Sequence, residues 1–279
     1  MALDRHARAP RLKKNGQLKP LVFNDGHLEM VKLLSPVKAR DPWSYQYLPV
    51  RYVPALLGQS LEYGRKQVTW LASEPWNYLH LPEQSEIYSC PLIVSVGKEG
   101  KQELRHIGVS LPNKPLRPIP HELLACISAA SFEYGAKQHG FKIEVVEREA
   151  DVTPDWPVFK LTGEKEHIIF LEADMGRESL TGDASNTITS KLLRYAQLFE
   201  NYDDLYAVFV TTRPSRVTAM AYLARKLPRS VRSRFLFTSI KYNRFLTKIP
   251  PLTDWAISGE WKTAYGTFSF LKKQAAEAA

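Results

Sequence analysis

The sequence has few cysteines and no long apolar run. Its 279 residues include two cysteines, Cys90 and Cys126, and neither belongs to a CxxC pair. We therefore expect neither a disulfide framework nor a zinc site. No apolar stretch approaches the roughly 20 residues that span a bilayer, and the basic N-terminus is not followed by the apolar segment of a signal peptide. These absences predict a cytoplasmic protein with no membrane partner.

The composition is that of a folded protein with a positive charge. Hydrophobic residues make up 44% of the chain and charged residues 24%, which suffices for one large or two modest domains. The formal net charge of +9 favours a polyanionic partner. A membrane surface or general ionic stickiness would favour the same charge, so composition leaves the partner open.

The N-terminal third divides into a basic arm and a predicted DNA-binding domain. Residues 1–20 carry six Lys or Arg side chains and few apolar ones, which predicts a flexible arm. Residues 21–110 follow the order of a winged helix-turn-helix: helices near 25–34, 50–57 and 60–71, then a β-prone stretch from Ile87 to Val96. A small helical domain with merely solvated basic residues is the alternative. In the DNA-binding interpretation, the third helix contacts DNA through Arg65, Lys66, Gln67 and Thr69.

The remaining chain predicts a linker, a larger domain and an extension. Four prolines in residues 111–120 predict a linker, because proline restricts the backbone and disfavours helix. Residues 121–248 then predict the order α-β-β-β-α-β-α-β, and residues 249–279 form a C-terminal extension. The predicted elements are helix 121–139, strands 141–147, 158–161 and 166–172, helix 188–199, strand 205–211, helix 215–227 with Ser215 as its N-cap, and strand 235–240.

Three carboxylates fall where two neighbouring strands of this domain would lie side by side. Asp155 precedes the short second strand, and Glu172 and Asp174 end the third. Side chains two residues apart point to the same face of a strand, so Glu172 and Asp174 can converge. Oxygen ligands of this kind bind Mg²⁺ or Mn²⁺, and a metal beside a scissile phosphate stabilises the charge of the transition state. The alternative is a turn-forming aspartate and a charge pair on a solvated strand end.

Other side chains around these acids are candidates for catalysis. Lys191, on the helix after the acidic strand, would position or deprotonate the attacking water. Glu178, in the intervening loop, is a further candidate ligand or base. Tyr195 shares the helix face of Lys191 and is either a nucleophile that holds a cleaved 5′ phosphate or a core aromatic.

These residues resemble a known enzyme superfamily. Pro154-Asp155 followed by Glu172-Ala173-Asp174, within the α-β-β-β-α-β order, is similar to the PD-(D/E)XK nucleases. More narrowly, the segment from Glu172 to Ser179 and then Lys191-Leu192-Leu193-Arg194-Tyr195 resemble the replication-relaxation family, which includes plasmid relaxases of the MOB-C class. That family also has a winged-helix region and a helix beginning His-Glu-Leu, as at His121.

The resemblance implies a fold and an activity. It implies a winged helix followed by a restriction-endonuclease-like core, with a central mixed sheet flanked by helices, and DNA nicking with Mg²⁺ or Mn²⁺ at Asp155, Glu172 and Asp174. The sequence departs from the superfamily at Asp174, which stands where a lysine is usual. We assign the role of that lysine to Lys191. The sequence departs from the narrower family where Arg177 replaces threonine.

The segment that begins just before the third helix of this domain has one sign of charge. Residues 213–248 contain ten Lys or Arg and no Asp or Glu. Such a segment repels itself unless an anion neutralises it, so we expect contacts with DNA phosphates. A solvated helix face with a basic loop is the alternative. The basic residues are Arg213, Arg216, Arg225, Lys226, Arg229, Arg232, Arg234, Lys241, Arg244 and Lys248.

Three functions are compatible with these observations. The first is a site-specific, metal-dependent DNA nickase or endonuclease of a plasmid or other mobile element. It would act in mobilisation or replication, either alone or with other proteins of those processes. The second is a catalytically inactive nuclease fold that binds DNA as a replication or transcription regulator or accessory factor, and Arg177 favours it. The third is a nuclease used in defence or competition.

Overall fold

The computed structural model describes residues 21–82, 93–111, 119–147, 152–182, 187–240 and 249–271. Several predicted features lie outside these residues: the basic arm, most of the proline-rich linker, Cys90, the start of the β-prone stretch, and Lys241, Arg244 and Lys248. The described residues divide into two compact units, one ending at Ile119 and the other beginning at Pro120.

The first unit combines helices with a small antiparallel sheet. Its three strands are β1 (Leu48–Pro49), β2 (Leu79–His80) and β3 (Ile93–Val96), and they lie in the order β1-β3-β2. Helices were predicted close to the first three observed ones, whereas the fourth was not predicted, because its sequence is mostly charged and only Leu104 offers a buried apolar side chain of any size. The elements are α1 (Asp25–Leu33), β1 (Leu48–Pro49), α2 (Tyr52–Leu56), α3 (Leu61–Leu71), β2 (Leu79–His80), β3 (Ile93–Val96) and α4 (Lys98–His106).

Local sequence explains how these helices begin and pack. Asn24 and His27 form a reciprocal capping box at the start of α1. Ser60 accepts a hydrogen bond from the Tyr63 N–H at the start of α3. Gly64 allows α3 to approach α2 closely, because a Cβ at that position would lie 2.3 Å from Pro54 Cβ. Any larger residue at position 64 would push the two helices apart.

The second unit has the element order that the sequence predicts. Every predicted helix and strand of this unit is present, with ends that differ by a few residues. The helix predicted to be capped by Ser215 instead begins at Pro214, with Arg213 as N-cap, because proline is well tolerated in the first turn, where its missing N–H has no helical partner. The elements are α5 (Ile119–His139), β4 (Lys142–Val145), β5 (Phe159–Thr162), β6 (Glu166–Asp174), α6 (Ile188–Phe199), β7 (Leu205–Thr211), α7 (Pro214–Ala224), β8 (Phe235–Ser239), α8 (Trp255–Ser258), β9 (Trp261–Lys262) and β10 (Thr267–Phe268).

One mixed sheet of seven strands organises the second unit. The strand order is β10-β9-β8-β7-β6-β5-β4. The central strands β6, β7 and β8 are parallel, and the strands on either side of them are antiparallel. The predicted mixed α/β architecture, with a large mixed sheet flanked by helices, is therefore confirmed.

Helices cover both faces of this sheet. On one face α6 and α7 pack against Phe170, Phe209 and Phe237, which belong to a single buried cluster. On the other face Phe132 of α5 packs against Phe159 of β5, at 5.2 Å between ring centroids. Alternation along β6 therefore directs residues 170, 172 and 174 towards α6 and α7.

The segment after residue 248 takes part in the same sheet. Strand β9 pairs with β8, and β10 pairs with β9, so the C-terminal extension widens the sheet. Trp261 is 1% exposed and packs against Phe132. Among the described residues, no helix has the length and apolar character needed to cross a membrane.

Candidate active site

The acids Glu172 and Asp155 lie beside each other at the carboxyl end of β6. The Asp155 N–H donates to the Leu171 carbonyl at 3.1 Å, and the Ala173 N–H donates to Asp155 Oδ2 at 3.0 Å. These two bonds fix Asp155 against the strand that carries Glu172. The position matches the strand-edge arrangement predicted from the sequence.

Glu172 is buried and contacts two side chains of α6. Its side chain is 4% exposed, and Lys191 Nζ lies 3.0 Å from Oε2. The Tyr195 hydroxyl donates to Oε1 at 2.6 Å. Burial raises the pKa of Glu172 to about 7; the Lys191 charge opposes this rise, and the Asp155 charge adds to it. Glu172 therefore gains or loses its proton near neutral pH.

Lys191 joins the acids of this end of the sheet. Its ammonium lies 2.9 Å from Glu178 Oε1, in addition to its contact with Glu172. Burial would lower the pKa of Lys191, but the attraction of Glu172, Glu178 and Asp155 outweighs burial and raises it. Lys191 therefore stays protonated. Glu178 Oε2 is buried and has no hydrogen-bond partner among the described residues.

Asp155 is held in its ionised form. His121 Nε2 lies 3.4 Å from Asp155 Oδ2. Although burial acts to raise the pKa of Asp155, the His121 hydrogen bond and charge, the Ala173 N–H and the Lys191 charge together lower it to about 2. Glu172 therefore has two charged neighbours from other parts of the chain, the Asp155 carboxylate and the Lys191 ammonium.

Asp174 has a separate partner. Arg216 of α7 donates from Nε to Oδ2 at 2.5 Å and from a terminal nitrogen to Oδ1 at 3.0 Å. The same terminal nitrogen donates to the Glu178 carbonyl at 2.9 Å, and the Gly176 N–H donates to Asp174 Oδ1 at 2.9 Å. This bidentate pair ties the end of β6 to α7 and engages both Asp174 oxygens.

The turn after β6 depends on Gly176. Its φ of 73° lies in the left-handed region, which other residues seldom adopt. A Cβ at Gly176 would also lie 2.9 Å from Arg213 Nε. The turn brings the chain from Asp174 to Glu178, and so places Glu178 within reach of Lys191.

The structure sorts the predicted site residues into two groups. Asp155, Glu172, Glu178 and Lys191 come together, whereas Asp174 is bound to Arg216. Within the described ranges, no three His, Cys, Asp or Glu side chains are arranged to hold a metal ion. The expected convergence of Asp155, Glu172 and Asp174 is therefore not observed, because the guanidinium of Arg216 occupies both oxygens of Asp174.

Tyr195 belongs to the aromatic core on the α6 side of the sheet. It is 1% exposed, and its ring packs against Phe170, Phe199 and Phe209. Burial and the neighbouring Glu172 raise the pKa of its hydroxyl well above the usual value. These observations favour the packing interpretation over the nucleophile interpretation, and they add a role in positioning Glu172.

Sequence reasoning missed two residues of the site. His121 was noted only as part of a helix start, yet it contacts Asp155 from 34 positions away in the chain. Arg216 is predicted from the sequence to contact DNA phosphates, but it pairs with Asp174. No spacing rule relates residues this distant, although the buried strand position of Asp174 already indicated that a cation would be needed.

The predicted DNA-contacting residues also divide by exposure. Arg213, Arg225, Lys226 and Arg229 are exposed, and Arg232 is partly exposed. Arg234 corrects the prediction, because it is 7% exposed and donates to the carbonyls of Phe199, Tyr202 and Ser230. Its charge serves the fold and is not presented to solvent.

On α3 the four predicted side chains differ in the same way. Arg65 and Lys66 are exposed, and Lys66 Nζ lies 2.6 Å from Glu62 Oε1. Gln67 instead contacts His27 Nε2 at 3.0 Å, and the Thr69 hydroxyl donates to the Arg65 carbonyl. Of the four predicted side chains, only Arg65 and Lys66 are therefore exposed.

Comparison with known proteins gave no match to a family model, to a curated protein or to a solved structure.

Proposed function

We propose that the second unit is the core of a metal-dependent DNA endonuclease or nickase with Asp155, Glu172 and Lys191 at its centre. The observation that carries this proposal is the 3.0 Å contact between Lys191 and Glu172, beside an Asp155 that is hydrogen-bonded to the same strand. Two acids and a lysine at one strand end are the groups needed to bind a cation and to stabilise a phosphate transition state.

The donor set suits magnesium or manganese. Mg²⁺ is commonly held by one or two carboxylates, with water and substrate phosphate completing its shell. Asp155 and Glu172 would supply those carboxylates, and the unpaired Glu178 Oε2 is a further oxygen at the same place. Bound there, the ion would supply positive charge to the scissile phosphate and would acidify a water molecule. Asp174, although predicted as a third ligand, would first have to leave Arg216.

The protein side chains would divide the remaining work. Lys191 stays protonated because of its acidic neighbours, so it is suited to binding and orienting a phosphate oxygen and is unsuited to accepting a proton. Glu178 Oε2 is a buried acceptor without a partner among the described residues, and it would accept the proton of the attacking water. His121 and Tyr195 would position Asp155 and Glu172.

Two surfaces support DNA as the substrate. Arg213, Arg225, Lys226 and Arg229 are exposed cations of the same unit as the acids, and such side chains bind phosphates. The first unit would be a winged helix, since its helices and antiparallel strands follow that order and α3 exposes Arg65 and Lys66. The resemblance to plasmid relaxases makes site-specific nicking during mobilisation or replication, alongside other proteins of those processes, the form we propose.

A second candidate is DNA binding without cleavage. It is favoured by the pairing of both acids at the end of β6: Glu172 contacts Lys191 and Tyr195, and Asp174 contacts Arg216. In a catalytically inactive site, such internal pairs would take the place of the metal. The protein would then act as a regulator or accessory factor.

Conversion of supercoiled plasmid to open circle separates these candidates. We expect nicking by the wild type with Mg²⁺ or Mn²⁺, none in EDTA, and none by Glu172→Gln or Asp155→Asn. Glu166→Gln is the matched control, because Glu166 lies on the same strand but is exposed. Plasmid that carries the cognate transfer or replication origin should be used.

The outcomes assign the function. Nicking by the wild type and by Glu166→Gln, but not by the two site variants, supports the endonuclease. A gel shift by all four proteins with no strand break under any metal condition rejects the enzyme and supports the binding protein. Equal nicking by Glu172→Gln and the wild type would place the chemistry elsewhere.

A further inference from the structure

A group of exposed aromatic and basic side chains lies on the second unit, in addition to the acidic site. Tyr222 is 59% exposed and Tyr265 is 64% exposed. Tyr222 is on α7, and Tyr265 lies between β9 and β10. We call this group, with Arg225, Lys226 and Arg232, the tyrosine-arginine patch.

The cations of the patch lie close to the two rings. Arg225 Cζ lies 6.0 Å from the centroid of Tyr222 and 5.4 Å from that of Tyr265, so it stands near both. Arg232 Cζ lies 4.4 Å from the Tyr265 centroid, and Lys226 Nζ lies 5.8 Å from that of Tyr222. Cation-π contacts of this kind hold the charged groups beside the rings.

The position of Arg225 is fixed by the backbone. Its Nε donates to the Ala264 carbonyl at 2.8 Å, which joins the end of α7 to the β9–β10 turn. A cleft of about 430 Å³ adjoins this contact and is lined by Arg225, Tyr265, Lys262, Thr263 and Glu260, among others. The patch therefore combines two exposed ring surfaces, fixed cations and a concave neighbour.

We propose that the tyrosine-arginine patch binds a single strand of DNA, with bases stacked on Tyr222 and Tyr265 and phosphates held by Arg225, Lys226 and Arg232. Unpaired bases offer flat faces to aromatic rings, and cations beside the rings bind the adjoining backbone. In a duplex the base faces are stacked on each other, so exposed tyrosines have no comparable ligand there. Phosphate contact alone would need the cations but not the rings.

Binding at the patch specifies single-stranded DNA as a ligand of the second unit. This inference rests on the proposed function, from which DNA is taken as the partner. A strand held at the patch would be one that has been separated from its complement. The acids Asp155 and Glu172 take no part in the binding, so binding and cleavage can be measured independently.

The test is fluorescence anisotropy with a labelled oligodeoxythymidine of about ten nucleotides, titrated with the full chain in EDTA. We expect each of Tyr222→Leu and Tyr265→Leu to weaken binding about 5- to 100-fold. Tyr222→Phe and Tyr265→Phe keep the ring and should bind within about threefold of wild type. Thermal unfolding of each variant verifies that it is folded.

The same titration with a duplex of equal length and mixed sequence completes the test. We expect the leucine variants to bind the duplex as the wild type does, because the loss is confined to stacking. Equal affinity of leucine and phenylalanine variants for the single strand would overturn the proposal, as would an equal loss for both DNA forms. Because EDTA removes the metal, absence of nicking elsewhere would leave these outcomes unaffected.

Discussion

Glu172 and Asp174 are two residues apart on one face of the same strand, yet their surroundings differ. Asp174 is held by the rigid fork of Arg216 and by the Gly176 N–H. Glu172 faces the single ammonium of Lys191 and a tyrosine hydroxyl, and its pKa is raised to about 7. A planar guanidinium matches a carboxylate at two points, whereas an ammonium is a point charge that can turn to another anion.

This difference indicates different roles for the two pairs. The Asp174–Arg216 pair connects β6 to α7 and to the Glu178 carbonyl, so it organises the loop that carries Glu178. In the Glu172–Lys191 pair, the carboxylate has a point charge as its partner instead of a bidentate one, and it lies next to Asp155. We therefore regard the arginine pair as structural and the lysine pair as the centre that would meet metal and phosphate.

The largest expected effect concerns cleavage by a variant of the lysine pair. Lys191→Met should lower the rate of plasmid nicking about 100- to 10,000-fold, because it removes the charge that would bind a phosphate oxygen. The rate is measured by gel densitometry over time. Lys160→Met, on the neighbouring strand, is the control. If Lys191→Met nicks as fast as the control, the lysine pair has no catalytic role.

The next effect concerns stability and the arginine pair. Arg216→Met should lower the free energy of unfolding by about 3 kcal/mol, because it leaves Asp174 buried and charged without its partner. Urea denaturation followed by tryptophan fluorescence measures this change. Adding Asp174→Asn to Arg216→Met should recover part of the loss. Arg177→Met, at an exposed arginine, should change stability by less than about 0.5 kcal/mol.

A smaller effect is the pH dependence that Glu172 gives to the free energy of unfolding. Because its pKa is raised from 4.5 in the unfolded chain to about 7 in the folded one, the folded state binds the proton more tightly. Its contribution to stability is present below about pH 4.5 and is lost as the pH rises through about 7. In EDTA, wild-type stability should therefore fall over this range by up to about 3 kcal/mol more than that of Glu172→Gln.

Urea denaturation at several pH values, with both proteins in parallel, measures the difference. Identical pH profiles would mean that folding leaves the pKa of Glu172 near its unfolded value of 4.5. Addition of Mg²⁺ should reduce the difference between the two proteins, since a bound cation favours the ionised carboxylate.

The smallest effect concerns the turn that separates the two pairs. Gly176→Ala should destabilise the protein by about 1 to 2 kcal/mol, because alanine is strained at a φ of 73°. Gly266→Ala is a suitable comparison, since open space surrounds that position and its φ is not in the left-handed region. The shift in the midpoint of thermal unfolding measures both. Equal shifts would show that the Gly176 turn is not under conformational constraint.

The sequence predicted most of the second unit because its signals are local. A continuous apolar run in β6 and helical spacing in α6 depend only on neighbouring residues, and both elements were placed within two residues of their observed ends. The same reasoning grouped Glu172 with Lys191, since a strand and the next helix commonly lie together. Helix α4 was missed, because its apolar face is a single leucine and a helix of that kind is stabilised by its tertiary contacts.

The sequence by itself determined which charged residues would need partners, and the tertiary structure decided which partners they have. Alternation placed Glu172 and Asp174 on one buried face, where a lone charge is costly. Only the packing of α5, α6 and α7 decided that His121 faces Asp155, that Lys191 faces Glu172 and that Arg216 faces Asp174. Contacts between residues so far apart in the chain depend on how whole elements pack, and no local pattern encodes that arrangement.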